Sequence, residues 1–245
     1  MKRNFFISLR FSVFGLIAGG LTVVYQLNTM SSIFGEQEIP LPLPIVILLG
    51  SIQIALITLV LSFLGLQMMR STDLSLFKRE NRRYGYKLAL FFGFITGLLV
   101  AGSDRFVFQA LIPVLTKYEA KFSFIALLAG IFYGGVVEEV MLRLFLMTFL
   151  LFIVVKIKKT DSISDVYYWG AIAITSFLFA LLHLPFTALV FGELTPLLIL
   201  RAIILNGIGG FFFGYLYWRY GLIFSIVSHM FVHISMQLFF IPLFN

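Results

Sequence analysis

The 245 residues are 60% hydrophobic and 17% aromatic with only 12% charged, and the mean hydropathy is +1.03. Soluble domains average about 45 to 50% apolar and about 25% charged residues, so this composition excludes an ordinary water-soluble fold and points to a polytopic membrane protein. The absence of cysteine excludes disulfides, thiolate metal sites and a cysteine nucleophile. The net charge of +7 does not describe a nucleic-acid face, because the basic residues fall in short segments between apolar runs and act there as topology signals.

In chain order, Met1-Lys2-Arg3-Asn4 precede the first apolar run. This start resembles that of a signal peptide. The run behind it is too long and no small-residue cleavage pattern stands out, so a retained first span is expected. A bilayer core of about 30 Å needs roughly 20 helical residues. Apolar stretches of that order occur at about 5–26, 42–69, 85–103, 122–156, 167–191, 196–218 and 221–241, which predicts seven spans. The run 122–156 exceeds what one span needs, and 104–116 is semi-apolar with Pro113, so an eighth short or interfacial helix is plausible. Between 28 and 44, Gly35, Pro40, Pro42 and Pro44 break helix and, with Glu36 and Glu38, mark an outer loop. Segment 73–84 is a basic loop with a few apolar residues, able to lie on anionic headgroups or simply to set topology. No internal repeat and no soluble domain stand out, so residues 1–245 are expected to form a single integral membrane domain.

With the N-terminus placed in the cytoplasm, Lys2, Arg3, Arg70, Lys78, Arg79, Arg82, Arg83, Lys87, Lys156, Lys158, Lys159 and Arg219 fall on the inner side. Arg105, Lys117 and Lys121 fall on the outer side, and Arg10, Arg143 and Arg201 lie within spans. The positive-inside rule favours that orientation. Short loops and this charge bias suit a bacterial plasma membrane.

Two adjacent acids and an arginine, Glu138, Glu139 and Arg143, stand inside otherwise lipid-soluble sequence. Charge near a bilayer centre costs roughly 2.5 to 3.5 kcal/mol on insertion scales, so such groups face a bundle interior and mark a site. Glu139 and Arg143 are four residues apart with the acid first, the favourable helical pairing. Glu138 is turned about 100° away by the helical period and is free to act as a general base. An internal ion pair that merely pins helices together is the plainer reading. All three histidines, His183, His229 and His233, also lie within apolar runs. His229 and His233 share one helix face. A lone histidine in a span is usually a helix-to-helix hydrogen-bond partner; three alongside two buried acids point to function. Gly130, Gly134 and Gly135 precede the acids, and Gly207, Gly209, Gly210 and Gly214 line the sixth span, where small residues allow close helix approach.

Three motifs give the chain a resemblance to the CPBP family of intramembrane proteases, the group that includes CAAX prenyl endopeptidases and bacterial proteins of the bacteriocin-processing and immunity type. Glu138-Glu139-Val140-Met141-Leu142-Arg143 is similar to the family's EExxxR, Phe179-Ala180-Leu181-Leu182-His183 to its FxxxH, and His229-Met230-Phe231-Val232-His233 to its HxxxN except at the last position. The resemblance covers a motif-bearing core of about 122–240, with 1–103 as peripheral N-terminal spans. It implies an all-α, polytopic transmembrane helical bundle of seven to eight segments enclosing an intramembrane polar cavity. It also implies an endopeptidase acting on a membrane-associated peptide or protein, in which Glu138 and His183 activate water with neither metal nor covalent intermediate. His229 and His233 would bind the developing oxyanion, and Glu139 with Arg143 would hold the motif or orient substrate.

His233 departs from the family pattern: a neutral imidazole donates one hydrogen bond where asparagine has two donors and an acceptor. Histidines at i and i+4 also match zinc-ligand spacing, so a metal-dependent variant using His183, His229 and His233 with zinc is an alternative to a cofactor-free site. A non-enzymatic membrane immunity or binding protein is another, and a proton-coupled carrier a third. Membrane lipids are expected partners in each case.

Overall fold

The computed structural model describes residues 1–35, 40–117, 120–160 and 162–244. Glu36 and Glu38 of the expected outer loop lie outside them. Among the described residues there are helices and connections but no strands, as a bilayer demands of any chain that cannot close a barrel. Seven helices are long and apolar enough to cross a membrane: α1 Lys2–Phe34, α2 Leu43–Ser71, α3 Arg82–Leu111, α4 Phe124–Lys158, α5 Asp165–Phe191, α6 Pro196–Arg219 and α7 Leu222–Phe244. The protein is an integral membrane protein.

The helix ends follow from local chemistry. Ser123 opens α4 by accepting the Ala126 N–H at 3.2 Å, and Thr195 opens α6 by accepting the Leu198 N–H at 3.3 Å; each satisfies a donor that the first turn leaves orphaned. Pro196 takes the first position of α6, where a missing N–H costs nothing. Between α6 and α7, Gly221 adopts φ +113°, a conformation that favours glycine. A Cβ there would also lie 2.9 Å from the Leu76 carbonyl oxygen.

An eighth helix over 104–116 does not form. Asp104–Phe108 make one wide turn that carries α3 on to Leu111, and Pro113–Lys117 form a separate tight turn. Asp104 is held within the bundle by Arg201, whose Nε and Nη2 both donate to its carboxylate. Pro113, which has no N–H to extend the helix, falls just beyond its end.

α4 is the central element, in contact with α1, α2, α5, α6 and α7. Its winding is unusual: apart from Glu139, residues from Gly130 to Met147 follow the wide i→i+5 pattern, which elsewhere occurs as single turns and often at functional sites. α1 and α2 pair with each other and lie against α4. Within their most apolar stretches 22% of α1 and of α2 is buried, against 44% of α4 and α7, so the first hairpin faces lipid while α4 and α7 form the interior. Outward-facing Phe6, Val13, Leu48 and Leu56 supply the apolar coat.

Candidate functional site

Glu139 and Arg143 are both fully buried, and the four-residue spacing brings Arg143 Nη1 to 3.2 Å from Glu139 Oε1. Beyond this ion pair the carboxylate is well supplied, whereas the guanidinium keeps Nε buried without a hydrogen-bond partner. Arg143 Nη2 donates to the Gly210 carbonyl at 2.8 Å, and the guanidinium lies 5.1 Å from the Phe179 ring centre and 5.4 Å from that of Phe213. These are cation–π distances, stronger where water is excluded. Glu139 accepts from His229 Nδ1 at 2.8 Å through Oε1 and from the Ser225 hydroxyl through Oε2. Ser225 is fully buried and its hydroxyl is also 2.9 Å from the Phe213 carbonyl, so one proton faces two acceptors.

These contacts set the tautomer of His229. An ionised carboxylate only accepts, so Nδ1 carries the proton donated to Glu139. Nε2 then faces Glu138 Oε2 at 3.8 Å. One imidazole is thus flanked by both acids of the motif. Its face lies on Phe213, with ring centres 4.4 Å apart, and its other neighbour is the His233 ring at 5.3 Å.

Gly130 and Gly134 of α4 explain how α7 comes this close. A Cβ on Gly134 would lie 3.2 Å from His229 Nε2 and closer still to His233 Nε2, and one on Gly130 would strike the His233 ring. The α4 backbone is therefore flush against both imidazoles. His233 Nε2 is buried there with no hydrogen-bond partner, an expensive state unless a ligand supplies one. Gly210 does the same for α6: its carbonyl binds Arg143, and a Cβ would come within 3.2 Å of Arg143 Nη2.

His183 stands where α5 breaks, between helix Asp165–Leu182 and helix Leu184–Phe191. Its Nδ1 donates to the Phe179 carbonyl at 2.8 Å, which leaves Nε2 with a lone pair when the ring is neutral. Phe179 touches both His183, at 4.8 Å between ring centres, and His229, at 5.8 Å, so the second motif lies beside the third. Among the described residues Glu138 forms no ion pair with His183; the imidazole that approaches it is that of His229.

The described residues include no group of three histidine or acidic side chains disposed to hold a metal ion. The Nδ1 bond of His229 to Glu139 leaves Nε2 as the nitrogen that would face any ligand. Two cavities open where α3 ends and α6 begins. One of about 90 Å³ is lined by Asp104, Arg105 and Arg201 among others, and one of about 530 Å³ by Leu111, Phe191 and Leu197 among others. Neither is lined by a motif residue.

Two residues escaped the sequence reading. Ser225 gives no signal beyond a hydroxyl in an apolar helix, and Tyr217 is one aromatic among many. Its hydroxyl is 2.7 Å from Thr148 Oγ1, which is itself bonded to the Arg143 carbonyl at 3.2 Å, so it ties α6 to α4 just below the ion pair.

Residues 120–235 match the family model described as Rce1-like, type II CAAX prenyl endopeptidase Rce1-like. This region is an Rce1-like domain of the CPBP family. The match takes in α4 to most of α7, including Glu138, Glu139, Arg143, His183, His229 and His233. The Rce1-like family is a protease family, and α1 to α3 lie before the matched region. No curated protein and no solved structure matches the chain.

Proposed function

We propose that the protein is an intramembrane endopeptidase that hydrolyses a peptide bond of a membrane-associated peptide or protein with water activated by Glu138 and His183, without a metal or other cofactor. The observation that carries this reading is the unequal fate of the two acids. Glu139 is saturated by Arg143, His229 and Ser225, whereas the Glu138 carboxylate is 17% exposed and, among the described residues, makes no ion-pair contact with an arginine or lysine. Glu138 is the carboxylate left for proton transfer.

In the reaction, water near Glu138 gives it a proton while its oxygen attacks the scissile carbonyl carbon. The carbonyl oxygen becomes an oxyanion, the C–N bond then breaks, and the proton passes to the departing amine. His183 Nε2, bare in the neutral tautomer, takes and returns a proton along this path. His229 is aimed by Glu139 and donates from Nε2 in its protonated form, and His233 offers the buried Nε2; together they are placed to bind the oxyanion. Glu139 and Arg143 position His229. By the charge bias of its connections the chain sits in a bacterial plasma membrane with its N-terminus in the cytoplasm.

The test is cleavage of a membrane-anchored peptide library by purified protein in detergent, read by mass spectrometry. Wild type produces defined cleavage products, while Glu138→Ala and His183→Ala lose at least about a hundredfold, as expected for a general base or its relay, at unchanged monodisperse yield. Cleavage by both variants at the wild-type rate overturns the proposal. Zinc chelation leaves the wild-type rate unchanged; a loss restored by added zinc overturns the metal-free mechanism.

A further inference from the structure

The loop between α2 and α3 is not a free connection. Leu74 is buried in the core. Residues 75–78 then form a strap along the α6–α7 turn: the Ser75 and Leu76 carbonyls accept from the N–H groups of Leu222 and Ile223, both at 3.1 Å, and the Lys78 N–H donates to the Tyr220 carbonyl at 2.8 Å. Lys78 Nζ adds a bond to the Trp218 carbonyl at 3.0 Å, and Phe77 stacks on Phe224 at 5.3 Å. Asn81, at φ +55°, then turns the chain into α3, a conformation that asparagine tolerates better than most residues.

The strap anchors the basic residues that lead into α3. Arg79, Arg82 and Arg83 are exposed and, among the described residues, none is in an ion pair. Glu80 is the one acid between them, while Asp73 is occupied by the Tyr168 hydroxyl at 3.3 Å. Residues 70–87 hold six basic and two acidic side chains. Exposed Tyr84 and Tyr86 lie beside the arginines, and Trp169 and Trp218 pack together, 5.3 Å between ring centres, near the end of α6. Tyrosine and tryptophan at helix ends mark the headgroup level of a bilayer. The arginines are therefore held at that level by main-chain bonds.

We propose that the strap and its three arginines form a docking surface for anionic phospholipid headgroups. The recognition chemistry is guanidinium to phosphate, favourable in charge and bidentate in geometry. The lipid is the source committed to, because the surface belongs to an integral membrane protein and stands beside its interfacial aromatics. Its hydrogen-bonded partner, the α6–α7 turn, lies three residues before Ser225, so headgroup binding also steadies the start of the helix that carries Ser225, His229 and His233. The binding claim is independent of the proposed peptidase activity.

The test uses the full-length protein in nanodiscs of phosphatidylcholine alone or with one quarter phosphatidylglycerol, with retained lipids counted by native mass spectrometry and unfolding followed by temperature. Wild type retains phosphatidylglycerol preferentially and unfolds at a higher temperature when it is present. Arg79→Gln/Arg82→Gln/Arg83→Gln loses that preference, with retention weaker by on the order of tenfold to a hundredfold, and keeps its unfolding temperature in phosphatidylcholine. Arg79→Lys/Arg82→Lys/Arg83→Lys retains most of it, which keeps the test decisive should the glutamine variant fold poorly. Lys156→Gln/Lys158→Gln/Lys159→Gln removes equal charge from the same end of the bundle and leaves the preference intact. An equal loss in that variant, or no phosphatidylglycerol preference in wild type, overturns the proposal.

Discussion

Arg143 is the residue on which the motif depends, because it makes a buried carboxylate tolerable. Breaking a buried pair by removing one partner leaves an uncompensated charge and costs about 3 to 5 kcal/mol. Arg143→Met is therefore expected to destabilise the protein by that amount in reversible unfolding from mixed micelles. The double variant Glu139→Gln/Arg143→Met is expected to recover much of the loss, since a neutral amide needs no cation; additive losses in that cycle would place the cost in packing against Phe179 and Phe213 instead. The Glu139–Arg143 pair was legible in the sequence because helix geometry alone brings i and i+4 together. The Ser225 bond to Glu139 was not, because it joins residues 86 positions apart and depends on how α4 and α7 cross.

At the scale of the element, α4 joins winding to close approach. Wide turns change which residues share a face, so the helical period assumed from sequence could not place Glu138 against His229 Nε2. The glycines could be read only as small residues that permit packing; what they pack against, two imidazoles, comes from the register of α7. Gly134→Ala is expected to push His229 and His233 away, because the added Cβ meets imidazole atoms of both. The variant should lose proteolysis by at least about tenfold, since small displacements of catalytic groups cost rates of that order or more. Gly207→Ala on α6 meets open space and is the matched control, neutral or stabilising by up to about 1 kcal/mol. Equal activity in the two variants would mean that the α4–α7 contact does not govern the site. The seven spans themselves were readable from length and hydropathy. The stretch 104–116 reads as a possible separate helix because nothing in its own residues announces that Asp104 is tied to Arg201 on a helix 97 positions away.

Across the whole molecule, the spans outside the Rce1-like region are joined to it by the α1–α2 hairpin on α4, by α3 on α7, and by the strap on the α6–α7 turn. Lys78 reports on the strap. Partial burial lowers its pKa from the ordinary 10.5, opposed by nearby Asp73. Between the folded value and 10.5 the unfolded chain binds the proton more readily than the folded one does, so stability contributed at this residue rises with pH through that interval. Below the folded value both states are protonated and the full cost of burying the ammonium is present. Lys78→Met removes the titration and leaves every other lysine unchanged. The unfolding temperature of wild type relative to Lys78→Met is therefore expected to rise as pH climbs toward 10.5, by a modest amount because solvent screens a half-buried group. A flat or falling difference would show that Lys78 keeps its proton as readily in the fold as outside it, and that burying the ammonium in the strap costs the fold nothing.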